Sequence, residues 1–285
     1  MIAFVLAGGA SLGAIEVGML KALYEHKIAP ELIVGTSAGA VNGAYIASRP
    51  PTPETADSLA ELWRSTSTSA AFPRNPVTAF LGLIGKRDYL VPNSGLKKLL
   101  EANAQFKRME DAAIPFHVIA TDVLTGQERL LSTGDAESAV LASAAIPGIY
   151  PSIEREGLDL VDGGVADNTP ISQAVQLGAT TVYVLPTGAP CKLSKPPSGA
   201  VAMLVHAIAL LVNERLARDI ERYQDRVKLI VLPPPCPAGV LASDFSHAAE
   251  LIDEGYKLAA EVLDQPDPAA FGNPRALARL TAHAH

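Results

Sequence analysis

Ile2-Ala3-Phe4-Val5-Leu6-Ala7-Gly8-Gly9-Ala10-Ser11-Leu12-Gly13 and Leu32-Ile33-Val34-Gly35-Thr36-Ser37-Ala38-Gly39 share one design. Each is a short apolar run that ends in glycines and passes into residues at helical spacing. After the first run, Ile15, Met19, Ala22 and Leu23 recur at that spacing as far as His26. After the second, Ala38–Ser48 is rich in small residues and reads as a helix packed closely on a neighbour. Strand, tight turn and helix are therefore predicted twice in succession. Further strands are predicted at Pro115–Ala120, Arg129–Leu131, Asp159–Val161, Thr181–Leu185 and Val227–Leu232. Asn93-Ser94-Gly95 reads as a capped helix start. A long helix is expected from about Val201 to Tyr223, read as a core helix, and an amphipathic one from Ala248 to Leu263. Strands alternating with helices predict an α/β fold with a largely parallel sheet covered on both faces.

The chain has 285 residues, 48% apolar and 19% charged, which suits a globular protein with a sizeable core. Its net charge of −7 offers no basic surplus for nucleic acid or for anionic lipid, so any transient membrane contact has to be apolar. The longest apolar run, Ala200 to Val212, is broken by His206 and is too short to span a bilayer. Two cysteines, Cys191 and Cys236, form neither a disulfide framework nor a zinc site, so a reducing compartment is the default. The expectation is a cytoplasmic protein with scope for peripheral membrane contact. Pro186–Ser198 and Pro233–Gly239 read as Pro-rich loops. Residues 1–264 are expected to form a single domain, with 265–285 as a C-terminal tail.

Both glycine junctions contain G-x-S-x-G, around Ser11 and around Ser37. A serine on a sharp strand-to-helix turn holds its hydroxyl outward, and flanking glycines let the backbone bend and pack. The first junction also approaches a dinucleotide fingerprint, but Ala10 stands at its second glycine and no acid ends the next strand, so that reading is set aside. The two junctions can instead cooperate. Gly8, Gly9 and Ala10 would present N–H groups as an oxyanion hole, and a serine would attack. The plainer reading is that each turn is an ordinary tight connection.

The serine needs a base. Six histidines are present, at 26, 117, 206, 247, 283 and 285, and none sits in a glycine or turn setting; His206 reads as a satisfied core residue. A carboxylate is the stronger candidate. Asp162 ends the apolar run Leu158–Val161 and opens Asp162-Gly163-Gly164, with Asp159 and Asp167 as near competitors. Burial would raise its pKa and ease proton transfer.

In this order, the blocks Gly8-Gly9-Ala10-Ser11-Leu12-Gly13, Gly35-Thr36-Ser37-Ala38-Gly39 and Asp162-Gly163-Gly164 resemble those of bacterial patatin-like phospholipases. Ala142-Ser143-Ala144-Ala145-Ile146-Pro147 and Asp167-Asn168-Thr169-Pro170 are similar to the family's flanking stretches. The likeness covers roughly the first 185 residues. It implies a three-layer α/β/α sandwich and a Ser–Asp dyad of Ser37 and Asp162, and it decides for Ser37 over Ser11. Gly13, Gly35, Gly39, Gly163 and Gly164 support the motifs. It further implies hydrolysis of phospholipid or other acyl esters; the sequence shows no metal-ligand cluster, so no metal or cofactor is expected. The sequence departs from the family at Ala10, where a glycine is usual, and at Leu12, where a basic residue is. The rival functions are a soluble carboxylesterase or thioesterase, and a non-catalytic lipid-binding module. Pro76–Leu90 reads either as a lipid-facing lid or as a short packed helix, and the packed helix is preferred.

Overall fold

The computed structural model describes residues 1–73, 75–188, 196–236 and 240–271. Five parallel strands make its centre. β1 (Ile2–Leu6) lies between β2 (Leu32–Thr36) and β7 (Thr181–Leu185), with β3 (Phe116–Asp122) beyond β2 and β8 (Lys228–Val231) beyond β7. The β3 side carries the antiparallel part. There β4 (Glu128–Leu131) and β6 (Leu158–Asp162) both pair with β3, and β5 (Ile153–Arg155) pairs with β6. The sequence pattern did not suggest β5: three residues with two charges give no alternation to read.

Alternation along the buried strands divides the core in two. Phe4, Leu6, Ile33 and Phe116 face a layer of α1 (Ala14–Glu25), α2 (Ala38–Ile46), α3 (Pro53–Ser65), α7 (Ala136–Ser143) and α10 (Ala248–Leu263). Ala3, Val5, Leu32 and Val34 face α8 (Ile171–Gln176) and the C-terminal half of α9 (Ala200–Tyr223). The result is a three-layer α/β/α sandwich with a mixed sheet, parallel at its centre. The remaining helices are α4 (Thr68–Ala71), α5 (Pro76–Leu83), α6 (Ser94–Asn103) and α11 (Pro268–Phe271).

Four expectations are corrected. The first concerns α9, which is a core helix only in part. Leu216, Ile220 and Tyr223 are buried, whereas residues 202–205 and 207–211 are exposed and His206 is half-buried. Apolar composition alone does not tell a helix's solvent. The second is the packed reading of Pro76–Leu90: Phe80 and Leu83 of α5 lie on the surface, and Thr78 is the buried residue of that helix. The third is the capped start of α6. That helix begins at Ser94 as expected, but Asn93 makes no side-chain cap bond. The fourth is the reduced state of the cysteines, since Cys236 is disulfide-bonded.

Cys191, with most of the Pro-rich stretch around it, residues 237–239 of the second Pro-rich stretch and the tail after 271 lie outside the described residues. Among the described residues, no helix is long and apolar enough to cross a membrane.

Candidate active site

Ser37 sits between β2 and α2 with φ 54° and ψ −118°. A side chain in this region is strained by the order of 1–3 kcal/mol, and here the strain turns the hydroxyl out of the strand line. The fold holds the turn by close approach. Gly39 N–H donates to Ala7 O at 3.1 Å, and a Cβ on Gly39 would collide with the Leu6 carbonyl, so α2 lies directly on β1. Gly39→Ala is therefore expected to cost about 3 kcal/mol in denaturant unfolding and to reduce activity with it. Gly126→Ala, where φ is +68° but the space is open, should cost only about 1 kcal/mol.

The serine's partner comes from β6, two strands away across β3. Ser37 Oγ donates to Asp162 Oδ2 at 2.6 Å, and both residues are 6% exposed. Asp162 ends β6, whose antiparallel pairing with β3 aligns Asp162 with Ala120; Ser37 follows Thr36, which aligns with Ile119. Register on one strand thus brings the two side chains together. Asp162 Oδ1 accepts from Gly164 N–H at 2.8 Å, so the local turn bond and the serine bond coexist. Burial pushes the Asp162 carboxyl up to about 6, held back by the hydrogen bonds from Ser37 and Gly164.

The competitors are placed elsewhere. Ser11 Oγ donates to Leu241 O at 3.2 Å. Asp159 is exposed. The Asp167 carboxylate lies 3.3 Å from Arg215, and burial drives it up to about 7 against that guanidinium. His26 caps α1 through Ala22 O and reaches Asp264 at 3.0 Å, which raises its pKa. His117 bonds Ser132.

The first glycine junction is clamped by residues that sequence reasoning left without a role. Gly8 N–H donates to Asn168 O at 3.1 Å. Gly8 O accepts from Asn168 Nδ2, also at 3.1 Å, and from Thr187 Oγ1. Gly8 is therefore corrected as a donor: its N–H is already taken. In a trans peptide the carbonyl and the following N–H point in opposite directions, so the clamp on Gly8 O fixes the direction of Gly9 N–H. Ala10 adopts the left-handed conformation that favours glycine, at φ 50°. Ser143 Oγ accepts the Ser37 N–H at 3.0 Å. No spacing in the sequence ties 143 to 37.

Ser37 and Ala10 open onto an apolar pocket, open to solvent, walled by Val41, Leu59, Trp63, Leu100, Tyr150 and Phe245 among others. Trp63 is oriented by a buried polar chain. Its Nε1 donates to Asn42 Oδ1 at 2.8 Å, and Asn42 Nδ2 donates to Glu16 Oε2 at 2.8 Å and to Gly13 O at 2.9 Å. Glu16 is fully buried, which raises its pKa well above the ordinary value. Among the described residues, no group of three or more His, Cys, Asp or Glu is arranged to hold a metal ion.

The family model described as Patatin-like phospholipase matches residues 4–175, from β1 into α8. The chain belongs to the patatin-like phospholipase family. It is 30% identical over 193 residues to Patatin-like phospholipase domain-containing protein 6 of Mus musculus, covering 66% of this chain and 13% of that protein. It is 28% identical over 194 residues to Lysophospholipase NTE1 of Mycosarcoma maydis, covering 66% of this chain and 10% of that protein. This patatin-like chain therefore matches only a small part of the length of these relatives. Among solved structures, VipD from Legionella pneumophila aligns over 92% of this chain and 66% of that one, at 13% identity and a TM-score of 0.46. The family match ends before β7, β8, α9 and α10, so Thr187 and the Arg215 side of the site lie outside it.

Proposed function

We propose that residues 1–264 form one acyl-ester hydrolase domain acting on phospholipids or lysophospholipids through a Ser37–Asp162 dyad. The observation that carries this reading is the 2.6 Å bond from Ser37 Oγ to Asp162 Oδ2. Ser37 Oγ attacks the ester carbonyl carbon as Asp162 takes its proton. The tetrahedral oxyanion is held by the N–H groups of Gly9 and Ala10. Collapse expels the alcohol, which leaves with the proton from Asp162, and the acyl group stays on Ser37. Water then attacks the acyl-enzyme, with Asp162 again the base, and the fatty acid departs. A base near pKa 6 is ionised at neutral pH yet stronger than an ordinary aspartate. The apolar cavity beside Ser37 suits an acyl chain better than a polar acid, and the relatives named lysophospholipases point the same way.

A fluorophosphonate probe is expected to label Ser37 once per chain, identified by peptide mass, with labelling lost on denaturation. Labelling elsewhere, or none, would defeat the proposal.

A further inference from the structure

We infer that the N-terminal half of α9, Ala202 to Leu211, inserts into one leaflet of a lipid bilayer and sets the Ser37 end of the sheet against the membrane. The inference rests on the acyl-ester reading for the reason such a surface is visited, but its geometry stands apart from the chemistry.

Direction comes first. α9 ends at Tyr223 and a short turn leads into β8 at Lys228, with Val227 N–H donating back to Tyr223 O. The helix therefore runs opposite to β8, and so to the parallel strands β7, β1 and β2. Its C-terminus lies where those strands begin and its N-terminus where they end, which is where Gly8 and Ser37 follow β1 and β2. Arg215 fixes the place. It donates to Ala166 O and lies 3.3 Å from Asp167, on the loop that leaves Asp162.

Length comes next. A helix of 24 residues is about 36 Å long, whereas a strand of four or five residues spans about 17 Å. Leu216, Ile220 and Tyr223 use the sheet. The remaining three to four turns, about 20 Å, project past the end of the strands. That is close to the depth of one hydrocarbon leaflet, about 15 Å.

Apart from the half-buried His206, the overhang is apolar all round. Residues 202–205 are all exposed, as are residues 207–211; at 100° per residue, four in a row sweep the whole circumference. Leu204 is 62% and Leu211 72% exposed. No Asp, Glu, Lys or Arg occurs from Pro196 to Asn213. A protein partner takes one stripe of a helix and leaves a polar face for water; a helix apolar all round asks for an apolar solvent. Other exposed apolar side chains gather at the same end. Val123 and Leu124 follow β3, Val165 lies three residues after Asp162, and Leu241 sits on the segment that accepts from Ser11. The net charge of −7 makes this an apolar docking, indifferent to anionic head groups.

The test is flotation with phosphatidylcholine vesicles, using the Ser37→Ala protein so that lipid is not consumed. The protein should float, in low or high salt alike. Adding Leu204→Glu and Leu211→Glu should weaken partition by about tenfold or more. In the otherwise wild-type chain the same pair should leave hydrolysis of a monomeric p-nitrophenyl ester unchanged. The inference is overturned if the Ser37→Ala protein stays with the aqueous phase, or if the two proteins partition equally. It is also overturned if light scattering shows a dimer that the two glutamates dissociate while vesicles bind neither form. Failure of the dyad reads out separately, as ester hydrolysis surviving Ser37→Ala with flotation unaffected.

Discussion

A Ser37→Ala protein is expected to lose hydrolysis of p-nitrophenyl esters by about four to six orders of magnitude while keeping the wild-type fold. The Cβ stays, and alanine meets the same φ of 54° that serine already endures, so the turn between β2 and α2 survives. What goes is the attacking oxygen and the bond to Asp162. That carboxylate is then buried with Gly164 N–H as its remaining donor. Losing one charged hydrogen bond there should cost about 1–3 kcal/mol at pH 8. The cost should shrink towards pH 5, where Asp162 takes up a proton instead. Steady-state kinetics and urea unfolding at the two pH values check both halves. Wild-type rates in the variant would remove Ser37 from the chemistry.

Asp162→Asn is expected to lower kcat by about three to four orders of magnitude and, at the same time, to stabilise the protein. The stabilising sign follows from linkage. Burial raises the folded-state pKa of Asp162 to about 6, above the ordinary 3.8, so the native protein holds this proton more tightly than the unfolded chain. The contribution to stability is full below the ordinary value and is lost as pH rises through about 6. Above that, the buried carboxylate costs on the order of 3 kcal/mol. Asparagine carries no such charge, and its amide oxygen can accept from Gly164 N–H while its NH2 donates to the Ser37 hydroxyl. The wild-type pH profile should show the same group: kcat/KM falls about tenfold per pH unit below about 6, because the protonated acid is no base. Differential scanning at pH 8 and pH 4.5 should show the variant well ahead at the first and only slightly ahead at the second, since the difference vanishes fully only below about 3.8. A variant that is less stable at pH 8 would mean that the carboxylate is not held at a cost.

The strands and helices that carry the site were legible because their signals are local. Ile2–Leu6 and Leu32–Thr36 are apolar runs closed by glycine, and Ala248–Leu263 has a clear apolar face. Ser37 and Asp162 were legible as candidates from glycines on either side of a hydroxyl and from an acid at a strand end. What stayed hidden depends on register. Thr187 touches Gly8 because β7 lies beside β1, whereas Ser143 reaches Ser37 from the end of α7 and Asn168 reaches Gly8 from the loop after β6. That Gly8 N–H is occupied could not be foreseen, since its acceptor is a main-chain carbonyl 160 positions away. The misreading of α9 has the opposite cause. Its composition was seen correctly, but burial is set by how far the sheet reaches beneath it, and no residue of the helix encodes that.

The order of the strands bears on where this polypeptide can be cut. The family match stops at residue 175, yet β1, the middle strand, leans on β7 along its whole length, and β7 in turn on β8. α1 is wedged against α10 so tightly that Gly18 and Gly255 each face main-chain carbonyl of the other helix. A fragment trimmed to the recognisable motif would keep the serine and the aspartate but bare one flank of β1, with its unpaired amides and carbonyls, to any passing extended chain. Such a flank is a seed for aggregation. β7 and β8, though they supply neither the hydroxyl nor the carboxyl, are thus the seal on that flank of the sheet.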